Sequence, residues 1–252
     1  MFAEERHIEI LKELNEIGTV KVKMLSKAFG VTEETVRRDL EKLEKDQKLK
    51  RIHGGAISNV LVKDDDDIPF NKRKIARAKE KKEIANKAIQ LVQENDVIFI
   101  DAGSTGLYFA KRLPDSPLKV ITNSIQVALE LNNKTNIKII LTGGNITRNS
   151  LSLVGPATIQ SIKNYHIDKA FFSCKGIDME WGISDSNEQQ AAVKRAAIEM
   201  SDKTILMVDS SKVNKKSFVF IESINNLNYI ITDNSISVEH FKEKIRSEVG
   251  VL

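Results

Sequence analysis

The sequence predicts an α+β protein: an N-terminal winged helix-turn-helix followed by a larger α/β domain on a mostly parallel sheet. Three observations predict it. Residues 3–58 carry apolar positions at helical spacing, with a glycine and an N-cap residue between two of the periodic stretches. Residues 59–72 include four consecutive aspartates, which repel one another and bury nothing, so they read as a solvated linker. Residues 73–252 alternate amphipathic stretches with short apolar runs, the pattern of a sheet with helices on its faces.

Size and composition fit this division. The chain has 252 residues, enough for a small domain joined to a larger one. Hydrophobic residues make up 41% and charged residues 29%, values of a soluble globular protein. No apolar run approaches the ~20 residues of a membrane helix, and "MFAEERHIEI" is too charged for a signal peptide, so a cytoplasmic location is expected. The lone Cys174 has no disulfide partner within the chain and reads as a small buried apolar residue. Net charge is only +4. Residues 1–57 hold 12 basic and 11 acidic residues, 58–90 hold 9 and 6, and 91–252 hold 18 and 18. Bulk charge therefore does not announce nucleic acid; placement of charge has to.

In the first segment, Ile8, Leu11 and Leu14 share one face of a helix ended by Gly18. Val22, Leu25, Ala28 and Phe29 share one face of a second, and Gly30 follows where a left-handed C-terminus belongs. Thr32 sits at an N-cap position, with Glu33 and Glu34 in the first turn of a third helix. Helix, glycine, short turn, helix is the helix-turn-helix arrangement.

That third helix contains "TVRRDLEKL" (35–43), two arginines side by side. Val36, Leu40 and Leu43 form one narrow stripe that must pack on the preceding helices. Arg37 and Arg38 fall outside it, as do Thr35 and Lys42. Such a face suits the major groove, where guanidinium forks match guanine edges or phosphates. Taken alone, it equally suits a solvated face paired with Glu34, Asp39 and Glu41. The next residues favour DNA. "LKRIHGGA" (49–56) reads as a short β-wing turning near Gly54 and Gly55, which lays Lys50, Arg51 and His53 along phosphates. No cysteine or second histidine stands near His53, so no metal site is expected there.

On "ERHIEIL" (5–11), "VKMLSKAFGVTEETVRRDLEKL" (22–43) and "LKRIHGGA", the chain resembles the DeoR family of bacterial transcriptional regulators. The run T-V-R-R-D-L followed at this separation by H-G-G-A carries the resemblance. It implies a DNA-binding set of Thr32, Thr35, Arg37, Arg38, Lys42, Lys50, Arg51 and His53, double-stranded operator DNA as partner, and a homo-oligomer, dimer or tetramer, without membrane contact.

In the larger segment six apolar runs read as strands: 97–100, 119–122, 137–141, 169–173, 204–208 and 229–232. A helix with Ile84, Ala85, Ala88, Ile89 and Val92 on one side precedes the first. Polar loops follow the strands: "DAGSTG" (101–106), "TNS" (122–124), "TGG" (142–144), "CKG" (174–176) and "DSSK" (209–212). Ligands of open α/β sheets bind beyond the carboxyl ends of the strands. Glycines there admit a ligand, Ser104 and Thr105 open a helix as an anion site, and Lys175 and Lys212 supply positive charge. Each loop taken separately is equally an ordinary strand-to-helix turn. "DAGSTG" is neither a Walker A loop nor a dinucleotide fingerprint, and no cofactor is expected.

The resemblance continues through "FNKRKIARAKEKKEIA" (70–85), "VITNSIQVA" (120–128), "LTGGNITRNSLSLVGP" (141–156), "GIDMEWGIS" (176–184) and "ILMVDSSK" (205–212). It implies a domain similar in fold to ribose-5-phosphate isomerase and glucosamine-6-phosphate deaminase that senses a phosphorylated sugar. The effector residues it implies are Asp101, Gly103, Ser104, Thr105, Asn123, Ser124, Gly143, Gly144, Asp209 and Lys212. The expected function is a repressor of a sugar-metabolism operon, not an enzyme. The alternative is a sugar-phosphate isomerase or deaminase with a DNA-binding head, for which Asp101, Asp178, Asp185 or Glu188 would have to act as the base. Trp181 reads as loop or interface packing. Lys194 and Arg195 read equally as phosphate contacts or a solvated helix face, and Lys81 as a pocket contact or surface charge.

Overall fold

Thr32 opens the helix around which the first unit is built. In the computed structural model of the chain, which describes residues 2–17, 19–46, 48–52, 54–58, 68–235, 241 and 245–252, the Thr32 hydroxyl accepts a hydrogen bond from the Thr35 N–H at 3.2 Å. The helix it caps, α3, runs Glu33–Lys45, after α1 (Ala3–Ile17), β1 (Thr19–Lys21) and α2 (Val22–Phe29). Gly30, at φ 65, ends α2 in the left-handed conformation that the tight turn before Thr32 requires. Strands β2 (Leu49–Ile52) and β3 (Gly55–Ser58) form the expected wing, and β1 joins it antiparallel on the far side of β3. His53 and the aspartate run 64–67 lie outside the described residues, and Lys50 is described by its backbone alone.

The apolar stripe of α3 packs as its spacing requires: Val36, Leu40 and Leu43 are buried with Leu25 of α2 and Ile10 and Leu14 of α1. Two expected faces differ. Ile8 is 66% exposed, because the inward face of α1 runs Arg6, Ile10, Leu14 at i, i+4, i+8. Ala28 is exposed, while Val22 and Leu25 carry the inner face of α2 and Phe29 is half-buried. A charged residue begins the α1 face because it has a buried partner. Arg6 Nε donates to Asp39 Oδ2 at 2.7 Å and a second guanidinium nitrogen to Oδ1 at 3.1 Å. His7 Nε2 lies 3.0 Å from the same Oδ1. Asp39 is thus the polar pin of the α1–α3 contact rather than part of a solvated face.

The chain divides into two compact units, residues 1–76 and 77–252. Helix α4 (Phe70–Ile75) begins inside the stretch expected as linker. Ile68 and Phe70 are buried, and the Arg73 guanidinium stands 5.7 Å over the Phe70 ring, so these residues pack with the first unit.

The second unit is organised by a seven-stranded parallel sheet. After α5 (Ala78–Ala88) come β4 (Val97–Ile100), α6 (Ser104–Arg112), β5 (Leu118–Thr122), α7 (Ile125–Leu131) and β6 (Ile137–Leu141). A hairpin of β7 (Asn145–Thr147) and β8 (Ser152–Val154) leads to α8 (Pro156–Lys163) and β9 (Ile167–Phe172). Strands β10 (Gly176–Asp178) and β11 (Gly182–Asp185), α9 (Glu188–Glu199), β12 (Ser201–Met207), β13 (Val219–Glu222), β14 (Tyr229–Ile231) and β15 (Gly250–Val251) complete the described elements. The strand order is β15-β14-β12-β9-β4-β5-β6. All six expected strands lie in it, and its central strands are buried on both faces by two apolar layers, one centred on Phe99, Phe172 and Leu206 and the other on Ile98, Ile100 and Phe171. Strands β10, β11 and β13 form a separate antiparallel sheet. No helix among the described residues is long and apolar enough to cross a membrane.

Strand order fixes where a ligand belongs. From β4 the chain proceeds outward through β5 to β6, then returns to place β9 on the other side of β4 and continues to β12. The loops after β4 and β9 therefore diverge, leaving a crevice at their carboxyl ends.

Asp39→Asn keeps the shape of the α1–α3 pin and removes its charge. Hydrogen exchange on the full chain will show the α1 and α3 amides opening about 2 kcal/mol more easily, roughly thirtyfold faster; unchanged exchange would show that the pin does not hold the two helices.

Candidate functional site

Two places gather the side chains with binding chemistry. On α3, Thr32, Arg37, Arg38 and Lys42 are exposed and Thr35 half-buried, while the opposite stripe is sealed. The Arg37 and Arg38 side chains retain 53% and 79% of their accessible surface. Arg37 pairs with Glu33 at 2.9 Å and Arg38 approaches Glu34 at 3.7 Å. Such exposed i, i+4 pairs contribute only tenths of a kcal/mol, about 0.3–0.5, and yield readily to a phosphate. Arg51 is exposed on β2, with its N–H donating to Glu44 Oε1 at 2.8 Å, which ties the wing to the end of α3.

The second place is the crevice between β4 and β9. Asp101, 2% exposed, ends β4 and spans the divergence. Its Oδ2 accepts the Ser173 N–H at 3.1 Å from the far loop, and its Oδ1 accepts the Gly103 N–H at 3.2 Å from its own. Gly103 precedes α6, so the first-turn N–H groups at Ser104, Thr105 and Gly106 have no partner within the helix and form a positive end beside Asp101. A side chain at Gly103 would press on the Asp101 carboxylate and the Ser173 Cβ.

Lys194 reaches this carboxylate from α9. Only 7% exposed, it donates to Asp185 Oδ2 and lies 3.9 Å from Asp101 Oδ2. Burial opposes the charge of every member of the cluster, and proximity decides which carboxylate keeps it. Burial raises Asp101, and the lysine together with two N–H donors recovers only part of that. Burial also works against Asp185, but the charge and hydrogen bond of Lys194, with Lys175 nearby, bring it below the ordinary carboxylate range. The two carboxylates outweigh desolvation at Lys194 and raise it. Lys194 and Asp185 are thus a charged pair, with Asp101 as the strained third member. Lys194 is therefore neither on a solvated face nor an unpaired phosphate ligand. Arg195, its neighbour, is exposed and donates to the Phe220 carbonyl at 2.6 Å.

The other expected residues divide. Lys175 and Lys212 are half-buried, and both feel this cluster: Lys175 acts on Asp185, and Lys212 on the thiol of Cys174. Burial pushes that thiol up to about 12, so Cys174 stays protonated and inert. Asp209, after β12, accepts the Ser211 N–H at 3.1 Å and heads the short turn Ser210–Lys212. On the β5 side, the Asn123 amide donates to the Leu153 carbonyl at 3.0 Å, and its Oδ1 has no hydrogen-bond partner among the described residues. Ser124 is fully buried and its hydroxyl caps α7 by accepting the Val127 N–H at 3.2 Å. Gly144 departs from the expectation that it admits a ligand. At φ 130, a Cβ there would sit 2.1 Å from Thr158 Oγ1, so this glycine serves the packing of α8. Nothing stands within 4 Å of a Cβ built on Gly143.

Lys81 is buried. Trp181 meets Phe220 edge-on at 5.8 Å, as packing of the small sheet. Among the described residues, one grouping has metal-ligand composition: His166, Asp168 and Asp202, at the amino ends of β9 and β12, away from the crevice. His166 Nε2 stands 3.1 Å from Asp202 and 4.0 Å from Asp168, the contacts of a surface ion pair.

Residues 6–60 match the DeoR-like helix-turn-helix domain and residues 76–234 the DeoR C terminal sensor domain. The chain belongs to the DeoR family. It is 47% identical over 247 residues to the uncharacterized HTH-type transcriptional regulator YulB of Bacillus subtilis (strain 168), covering 97% of this chain and 95% of the other. It is 40% identical to the L-fucose operon activator of Haemophilus influenzae, covering 90% of both chains. Identity to the HTH-type transcriptional repressor GlcR of Bacillus subtilis (strain 168) is 33%, covering 92% and 89%. Ribose 5-phosphate isomerase A of Methanocaldococcus jannaschii aligns over 53% of each chain at 16% identity and a TM-score of 0.40. This DeoR-family regulator thus carries its basic helix in one unit and its crevice in the other, each matched by its own family domain.

The raised Asp101 yields a pH dependence. A carboxyl whose folded affinity for its proton exceeds the unfolded one stabilises the fold below its ordinary value of 3.8 and loses that contribution as pH rises through the folded value. Asp101→Asn, which cannot ionise, will therefore gain stability relative to the unsubstituted chain between pH 4 and pH 7, read from urea midpoints. A stability difference that does not change with pH would refute the assignment of Asp101 as the strained carboxyl.

Proposed function

We propose that this chain represses a sugar-metabolism operon and that a phosphorylated sugar, bound at the crevice between β4 and β9, sets its hold on operator DNA. The observation that carries the reading is the exposure of both Arg37 and Arg38 on a helix whose opposite stripe is buried. A helix anchored on one side and cationic on the other enters a major groove with its side chains on base edges and phosphates. In this reading residues 3–58 contact DNA: Thr32, Thr35, Arg37, Arg38 and Lys42 from α3, and Lys50, Arg51 and His53 from the wing. Two such heads about one DNA turn apart require a homo-oligomer, dimer or tetramer.

The effector reading rests on the crevice. A phosphate meets the N-terminus of α6, with Gly103, Ser104 and Thr105, and draws on the charge of Lys212 and Lys175. Sugar hydroxyls meet acceptors at Asp101, Asn123 and Asp209, with Gly143 leaving room beside them and Ser124 and Gly144 holding the loops behind. Relatives named for the L-fucose operon support a sugar as the signal. In this role the crevice holds the sugar phosphate as a signal, and Asp185, one of the four candidate bases, is committed to Lys194. Such a regulator works in the cytoplasm, where operator and sugar phosphate meet.

Binding of the full chain to the DNA upstream of its own gene tests both halves. Arg37→Ala and Arg38→Ala will each weaken operator binding by roughly tenfold and lower the slope of log affinity against log salt by about 1 for each phosphate no longer neutralised. Wild-type affinity in both variants would refute the groove assignment. Ribose 5-phosphate, glucosamine 6-phosphate and glucose 6-phosphate, added singly, test the effector; a sugar phosphate of the right class will shift operator affinity by about 5- to 150-fold. No shift with any sugar phosphate, and no conversion of one, would refute the sensing role.

A further inference from the structure

Arg77 is the first residue of the second unit and follows directly on Ala76, the last of the first. Its backbone is left-handed, with φ 53 and ψ 41, at the position that caps α5. The caps of α3, α7 and α9 are extended instead, as helix N-caps ordinarily are. Among the described residues four besides glycine have positive φ, and two of those are asparagines, which tolerate it. An arginine in this conformation has to be held there.

Its guanidinium, with 46% of its side chain exposed, faces two carboxylates, one of them at the carboxyl end of β12. Arg77 Nε lies 3.7 Å from Asp209 Oδ1, and another guanidinium nitrogen 3.5 Å from Glu80. Asp209 is 5% exposed and begins the turn Ser210–Lys212 at the carboxyl end of β12. Two more contacts fasten α5 to the loops on this side. Lys87 Nζ donates to the Thr232 carbonyl at 2.8 Å, and Glu83 accepts the Asn234 N–H at 3.4 Å. Asp233, between them, accepts the Ser210 N–H at 2.6 Å. The helix that opens the second unit is thereby moored to the loops after β12 and β14, and its first mooring is the residue that joins the two units.

We propose that Arg77 is the positioning residue through which the effector acts on the DNA-binding unit. An effector in the crevice competes for Asp209, the Arg77–Asp209 contact opens, and the Arg77 backbone leaves the left-handed region. The chain between α4 and α5 then takes a different course. Strained backbone is concentrated at switch segments because neighbouring contacts over-determine it, and here the over-determining contact is one that a ligand can remove. A ligand shifts an equilibrium only by its differential interaction with the two states, and this ion pair, present in one state and absent in the other, is that difference. The inference rests on the effector reading above.

The test needs no identified effector. Full-length wild type, Arg77→Ala, Arg77→Lys, Asp209→Asn and the Arg77→Ala/Asp209→Asn double variant are compared in binding to the DNA upstream of the gene, with thermal unfolding measured alongside. Arg77→Ala and Asp209→Asn will move operator affinity in the same direction by at least about fivefold. The double variant will go no further than either single one, and Arg77→Lys will stay within about twofold of wild type, a factor of half a kcal/mol or less. Wild-type affinity in Arg77→Ala, or additive effects of the two substitutions, overturns the proposal. So does an Arg77→Lys variant that behaves like Arg77→Ala. If Arg77→Ala does not fold, Asp209→Asn decides: the same shift supports the proposal and wild-type affinity overturns it. A wild-type protein that ignores the upstream DNA refutes the regulator reading itself, which separates the two failures.

Discussion

A lysine buried between two aspartates governs the second unit. Lys194, Asp185 and Asp101 come from α9, β11 and the end of β4, elements that share no hydrogen-bonded ladder. Removing Lys194 or Asp185 would leave a buried charge without compensation, which is far more costly than losing a surface pair. The cluster therefore fixes α9 and the antiparallel sheet against the central sheet at the point where strand order reverses. It also sets the electrostatics of the crevice. Lys194 is neutralised by Asp185 and Asp101 is reluctant to ionise, so in the proposed role a phosphate would draw its attraction from the α6 N-terminus and from Lys212 and Lys175.

The first unit obeys a smaller version of the same constraint. Arg6 can face inward on α1 only because Asp39 waits on α3, and this pairing lets α3 present Arg37 and Arg38 outward on a firm base. The two arginines next to Asp39 in sequence thus owe their exposure to the burial of their neighbour. Rigid support behind and loosely paired cations in front is the arrangement a groove-reading helix needs.

Much of this is legible in the sequence because it depends on local rules. Short runs of β-branched and aromatic residues mark the six longer strands of the parallel sheet, and Gly30 with Thr32 marks the turn and cap. What escapes reading depends on partners far apart in the chain. Ile8 reads as inward when Arg6 is taken as solvated; only Asp39, 33 residues away, makes Arg6 a core residue. Lys194 reads as a phosphate contact or a solvated residue, and Asp185 as a candidate base, for the same reason, since charges are rarely buried unless paired. Strand β15 is two residues long and shows no alternation, and β10 (Gly-Ile-Asp) and β11 (Gly-Ile-Ser-Asp) lack the continuous apolar run that marks the buried parallel strands. Gly144 reads as a ligand-facing glycine because sequence shows the missing side chain but not Thr158, which fills its place.

The proposed sensing role puts the sugar phosphate in the crevice at the strand reversal. Hydrogen exchange by mass spectrometry, with and without a saturating sugar phosphate, reads that position directly. Bound there, the ligand will slow exchange in the loops 101–106, 173–176 and 209–212, and leave the amino ends of the strands around His166 and Asp202 unchanged. Protection confined to those amino ends, or to the small antiparallel sheet, would put the ligand elsewhere and refute the crevice as its site.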